Sequence, residues 1–160
     1  MSPRRLLSLP VAAAVLLTAP GCSSTDAEAS ITVPAPPPEE KALCRALHKA
    51  LPESVAGEDR RDPEPRSELT AGWGDAAIVL RCGVPRPAGM SDSASDAVDV
   101  NGVNWLLEQH GDDSVRLTTT YRRTYVEVTL AQRYVNDLGP LTELAGPVAK
   151  TVPPLFAETT

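Results

Sequence analysis

The 160-residue chain carries 21 acidic and 15 basic side chains, a formal net charge of −6. Phosphate backbones repel such a chain, so nucleic acid is excluded as a partner class, and adhesion to anionic lipid through the domain itself is disfavoured. The length suits one domain.

Residues 1–21 divide into the parts of a secretory signal peptide. Arg4 and Arg5 make a positive start, Leu6 to Leu17 is apolar apart from Ser8 and Pro10, and small residues lead into Cys22. From Leu6 to Ala19 there are about 14 residues, short of the ~20 that a membrane-spanning helix needs. The segment Leu17-Thr18-Ala19-Pro20-Gly21-Cys22 resembles a bacterial lipobox, with Ala19 where Leu is usual. The resemblance implies cleavage before Cys22 and attachment of a diacylglyceryl group to its thiol. Two acyl chains are enough for a stable anchor. The expected location is therefore the outer face of the cell membrane, lipid-anchored, with the membrane itself as a partner. Loss of residues 1–21 removes two positive charges and takes the net charge from −6 to −8.

Residues 22–38, rich in Ser, Ala, Thr and Pro, read as a flexible linker, with Ile31-Thr32-Val33 a candidate edge strand. A single extracytoplasmic domain over 39–157 follows. Glu39 to Leu51 has Leu43, Leu47 and Leu51 at helical spacing, acids at its start, bases towards its end, and Pro52 to stop it. Residues 57–67 read as a loop. Ala77 to Cys82 alternates as a strand, with Ile78, Leu80 and Cys82 on the apolar face. A long loop from Gly83 to Ala97 precedes Val98-Asp99-Val100 and Val103-Asn104-Trp105. These flank Asn101-Gly102, the pair that suits a two-residue hairpin turn. A turn at Gly111-Asp112-Asp113 leads to strands over Val115 to Tyr121 and Tyr125 to Leu130. Leu138, Leu141, Ala145, Val148 and Val152 return to helical spacing, but Pro140 and Pro147 predict a broken helix. The fold class is α+β: a two-layer sandwich with a roughly four-stranded antiparallel sheet, covered by an N-terminal helix and a broken C-terminal one.

With Cys22 assigned to lipid, Cys44 and Cys82 are one pair in an oxidising compartment, which predicts a disulfide. Cys44 and His48 share a helix face, but one Cys and one His cannot close a tetrahedral metal site. The strand cysteine lies on an apolar face and Cys44 flanks one, so the first helix should cross the sheet with the bridge at their contact.

Beyond the lipobox, Cys44-Arg45-Ala46-Leu47, the run Trp73-Gly74-Asp75-Ala76-Ala77-Ile78-Val79-Leu80-Arg81-Cys82-Gly83-Val84-Pro85 and Tyr125-Val126-Glu127-Val128 resemble a family of actinobacterial membrane-anchored proteins. That family is described as domain of unknown function 3515. The resemblance implies an envelope protein with a paired-cysteine domain and brings no activity, ligand or catalytic residue.

Two places are candidate binding surfaces. Trp73 between two glycines, with Asp75 beside it, offers an aromatic platform and a carboxylate, although such a Trp more often packs into the core. Arg116, Thr118, Thr120 and Arg122 share the polar face of one strand, and Arg81, Glu127 and Thr129 join it. That face is either the solvated side of the sheet or a dock for an anionic envelope component or partner protein. The two histidines, His48 and His110, form no catalytic set, and no nucleophile elbow, phosphate loop or metal spacing is present. No cofactor, metal or catalytic residue is expected. The leading reading is a non-catalytic binding or scaffolding lipoprotein engaging an envelope protein or the cell wall. The alternatives are a cell-wall hydrolase using two carboxylates and a ligand-sensing subunit with a pocket near Trp73 or Trp105.

Overall fold

A computed structural model describes residues 31–111 and 113–156. The expected signal peptide, the expected lipidation site Cys22 and the turn residue Asp112 lie outside the described residues. Helix α1 spans Pro38–Ala50 and helix α2 spans Gly139–Thr151. The strands in chain order are β1 (Ser54–Val55), β2 (Glu58–Asp59), β3 (Thr70–Trp73), β4 (Ile78–Val84), β5 (Asp96–Val100), β6 (Val103–His110), β7 (Ser114–Thr119) and β8 (Tyr125–Leu130). Strands β3 to β8 form one six-stranded antiparallel sheet in the order β3-β4-β8-β7-β6-β5, and β1–β2 is a separate hairpin. The chain leaves β4 for the far edge at β5 and meanders back until β8 closes against β4.

The sheet is larger than the four strands expected. The added strand β3 holds Ala71, Gly72 and Trp73, all buried, with Trp73 paired to Ile78. Its glycine is required by close approach: a Cβ on Gly72 would fall 2.7 Å from the Arg61 carbonyl oxygen. The same glycine makes the segment read as a turn. Strand β5 starts at Asp96, inside the expected loop, because backbone pairing with β6 needs no apolar side chain on an exposed edge. The hairpin β1–β2 replaces part of the expected 57–67 loop, turning through Ala56 and Gly57 at positive φ. Residues 31–37 carry no regular structure, so Ile31-Thr32-Val33 is not an edge strand.

Helix α1 begins with Pro38 in its first turn, where a missing N–H costs nothing, and its first-turn acids and last-turn His48 and Lys49 match the helix dipole. The C-terminal helix is unbroken, with Pro147 inside it. Leu141, Leu144, Ala145 and Val148 are buried along one side. Burying each large apolar side chain is worth about 1.5–3 kcal/mol, which together outweighs the ~3 kcal/mol cost of an interior proline.

Both helices cover one face of the sheet, the inner face, and with it enclose the core. Leu80, Leu117 and Val128 lie in one cross-strand row of that core, and Ile78, Val115 and Leu130 in the next. Cys44 and Cys82 form a disulfide with Cα atoms 5.5 Å apart, both cysteines 1% exposed. It joins α1 to β4 at the predicted contact. Closing a 38-residue loop is worth about 4 kcal/mol in the chain-entropy description.

Candidate functional site: a groove on the outer face of the sheet

The face of the sheet away from the helices carries the polar side chains of alternate positions. Glu127 on β8 is 5% exposed and lies between two arginines. Arg81 Nε donates to Glu127 Oε1 at 2.9 Å and its Nη2 to Oε2 at 3.1 Å. Arg116 Nε approaches Glu127 Oε2 at 3.3 Å from the other side. Arg81 Nη1 also donates to the Thr32 carbonyl at 3.2 Å. These two arginines are thus committed to an internal ion cluster and to fastening the N-terminal segment. Cross-strand pairing of Arg81 with Glu127 and of Glu127 with Thr118 puts this cluster at mid-sheet.

Arg122 is not on that strand face. Strand β7 ends at Thr119, and Arg122 turns to the C-terminal segment, donating through Nη1 to the Val152 carbonyl at 2.6 Å and through Nη2 to Gly102 at 3.2 Å. Partial burial lowers its guanidinium pKa from the ordinary value. The expected cluster of Arg81, Arg116 and Arg122 is therefore a pair bound to Glu127 and a separate end clamp. Trp73 is fully buried, with its indole Nε1 donating to the Pro52 carbonyl at 3.1 Å, which removes it from the surface. Asp75 projects from the β3–β4 turn, 86% exposed at its side chain, and pairs with the exposed Arg61. An ion pair so exposed contributes little.

Three concavities stand out among the described residues. One of ≈ 340 Å³ lies between residues 33–36 and Arg45, Ser67 and Leu69. A second, of ≈ 500 Å³, is polar. There Arg60 donates to Asp62 at 2.9 Å and its Nη2 meets His48 Nε2 at 2.9 Å, latching α1 to the segment after β2. The third, of ≈ 350 Å³, is a groove on the outer sheet face, floored by Ala97, Asn104, Leu106, Thr120 and Tyr125. Its walls are the segment around Arg86 and Met90 on one side and Tyr121, Leu155 and Phe156 on the other.

The third groove differs in kind. Four large apolar residues are exposed among the described residues, and three of them, Tyr121 (68%), Leu155 (50%) and Phe156 (70%), line it. Exposed apolar side chains scattered singly need no explanation, whereas a contiguous patch marks an interaction site. Tyr121 also adopts φ +54°, a left-handed conformation rare for a bulky side chain. It is held there by the returning chain: the Leu155 N–H donates to the Tyr121 carbonyl at 2.6 Å, the Arg123 N–H to Pro153 at 3.0 Å, and Arg122 bridges Pro154. Strain of this kind, of order 1–3 kcal/mol, concentrates at functional sites. The opposite wall is built by Arg86, whose Nη1 donates to Ser91 at 2.8 Å and Nη2 to the Met90 carbonyl at 3.0 Å. Asp92 is the one carboxylate among the lining residues. On β7, outside the groove lining, the Thr118 hydroxyl is buried with no partner among the described residues.

The arrangement offers an apolar, partly aromatic recess with the Arg86 guanidinium in one wall, suited to holding an amphipathic surface. It assembles no nucleophile with a base. Nor do the described residues hold any group of three His, Cys, Asp or Glu side chains placed to bind a metal. The sequence patterns did not reveal the groove, because Leu155 and Phe156 follow the last helix and reach Tyr121 only through the fold.

The fold and groove define a disulfide-stapled α+β domain with an apolar recess on its open sheet face. A family model described as "Protein of unknown function (DUF3515)" matches residues 6–155, and the chain belongs to that family. Comparison with curated proteins and with solved structures finds no match.

Proposed function

We propose that this chain is an exported lipoprotein of an actinobacterial envelope. Anchored through Cys22 to the outer face of the cytoplasmic membrane, it presents a non-catalytic domain that engages its partner through the Tyr121 groove. One observation carries the binding role: three of the four large apolar side chains exposed among the described residues converge on one recess, with the strained tyrosine among them. The export role is supported by the charged, apolar and small-residue sequence before Cys22. A buried disulfide agrees with an oxidising compartment. The two tryptophans that a sensing pocket would need are both buried in the core.

The test is photo-crosslinking in the native cell. Ala97 and Tyr121 in the groove, and Glu143 exposed on α2, are each replaced by a photoreactive residue. Envelope adducts should form from Ala97 and Tyr121 and not from Glu143. Adducts from Glu143 alone, or an equal yield from all three, would overturn the assignment of the groove.

A further inference from the structure

We propose that the free edge of the sheet at β5 is a docking site for a basic, extended segment of a partner protein, which adds to the sheet as a further strand. The edge carries this site by itself, whether or not the groove is occupied.

The two ends of the sheet differ. At β3 the chain caps its own edge: Trp73 pairs with Arg60 in an isolated bridge, and the Arg61 N–H donates to the Gly72 carbonyl at 2.7 Å. At the other end, β5 pairs with β6 alone among the described residues. Antiparallel partners alternate between pairs that exchange hydrogen bonds and pairs that do not. The Asn104 carbonyl accepts from the Thr120 N–H at 2.8 Å on the β7 side, so Asn104 and its partner Asp99 do not bond to each other. Asp99, and Ala97 two residues before it, therefore point their N–H and C=O groups outwards. None of these groups has a backbone partner among the described residues. The strand runs in unbroken register from Asp96 to Val100, without the proline or bulge that commonly blunts an edge. Such an edge is a template on which main-chain hydrogen bonds hold an added strand.

Charge selects the occupant. Asp96 and Asp99 are exposed on β5, and Asp92 is exposed just before it. None of the three belongs to an ion pair among the described residues. Asp92 and Asp99 each hold a turn through one oxygen, accepting from the Ala94 N–H at 2.9 Å and the Gly102 N–H at 3.2 Å. Arg86, the cation nearest along the chain, is engaged with Ser91 and the Met90 carbonyl. The edge thus presents unpaired backbone groups between uncompensated carboxylates.

Across a ladder, opposite charges favour pairing and like charges oppose it. A second copy of this chain would bring Asp96 and Asp99 of both molecules onto one ladder, so the edge repels its own kind. A segment with Lys or Arg at alternate positions meets the acids instead. Side chains alternate along the strand. Asp99 shares the outer face with Ala97, and Asp96 shares the inner face with Val98 and the buried Val100. An alternating basic strand therefore finds a carboxylate whichever face its cations take. Its apolar side chains then lie beside the half-buried Val98 or beside Ala97.

The experiment uses residues 22–160, which include every described residue, labelled with nitrogen-15 and followed by amide NMR. The probe is the peptide Lys-Val-Lys-Val-Lys-Val-Lys. Its controls are the same pattern with Glu for Lys, and a copy N-methylated along its whole backbone, which keeps the charges but has no N–H to donate. With the Lys peptide, the Ala97 and Asp99 amide signals should move downfield and exchange with solvent more slowly. Reversing the peptide's charge should weaken binding about tenfold, and the N-methylated copy should protect neither amide. Asp96→Lys, whose side chain is exposed, should weaken the Lys peptide and strengthen the Glu peptide while the spectrum stays that of the folded domain. Unchanged Ala97 and Asp99 signals, larger shifts elsewhere, or equal binding by either control overturns the proposal. A peptide-free protein that dimerises with both amides protected would assign the edge to a second copy, and the basic-segment assignment would fall.

Discussion

Replacing both Cys44 and Cys82 with Ala removes a bridge that closes 38 residues and joins α1 to β4. Chain entropy alone sets the loss at about 4 kcal/mol. Because both sulfur atoms are buried, deleting them adds a packing loss of up to about 1 kcal/mol each. Domains of this size hold roughly 5–15 kcal/mol in total, so the variant should remain folded at room temperature with little margin. At about 4 °C of melting temperature per kcal/mol, the midpoint should fall by roughly 15–25 °C. The assay is thermal unfolding by circular dichroism of the double variant, with the reduced natural protein beside it. Reduction of the folded protein should be slow, because each cysteine is 1% exposed and attack needs an opening of the α1–β4 contact. A midpoint change under about 4 °C, or rapid reduction under native conditions, would refute this reasoning. It would mean that α1 and β4 are held together by apolar packing alone.

Glu127→Ala leaves Arg81 and Arg116 facing each other without their shared acceptor. A loss of about 2–4 kcal/mol is expected in urea unfolding, below the full buried-pair figure because both arginines are about a quarter exposed. The same change should release Thr32 and make residues 31–37 cleavable by protease. Tyr121→Gly relieves about 1–2 kcal/mol of left-handed strain and forfeits a similar amount from the buried third of the ring. Stability should stay within about 1 kcal/mol while groove adducts disappear; a loss above about 3 kcal/mol would make the ring a structural element instead. Pro147→Ala restores an N–H for the Glu143 carbonyl within α2, so the urea midpoint should rise by the equivalent of about 1–2 kcal/mol.

Elements with strong local patterns were legible in the sequence. Helix α1 falls within one residue of its expected bounds, and β8 matches Tyr125–Leu130 at both ends. Asn101 and Gly102 take the positive φ values, +51° and +77°, that a two-residue hairpin demands. The disulfide was legible because assigning Cys22 to lipid leaves Cys44 and Cys82 as one pair, and two separate periodicities placed them at the helix–sheet contact. What stayed hidden depends on tertiary contact. Strand β3 reads as a turn because Gly72 and Gly74 flank Trp73, yet Gly72 is there to admit the Arg61 carbonyl. Helix α2 survives Pro147 because of its buried side, which propensity does not weigh. The candidate site was the least legible. Alternation put Arg116 with Arg81, which holds, but both pair with the one Glu127 between them. It also extended the polar face to Arg122, whereas Tyr121 leaves the extended conformation two residues after β7 ends. The groove needs residues 153–156 to fold back on 121–123, a pairing that no local pattern announces.

The most direct test of the proposal that the domain is exported, lipid-anchored and disulfide-stapled is the intact mass of the protein extracted from its native membrane, taken before and after reduction and alkylation. The expected mass is that of residues 22–160 plus acyl chains, with two alkylatable thiols appearing only after reduction. A mass that retains residues 1–21, lacks acyl chains, or shows two free thiols before reduction would contradict it.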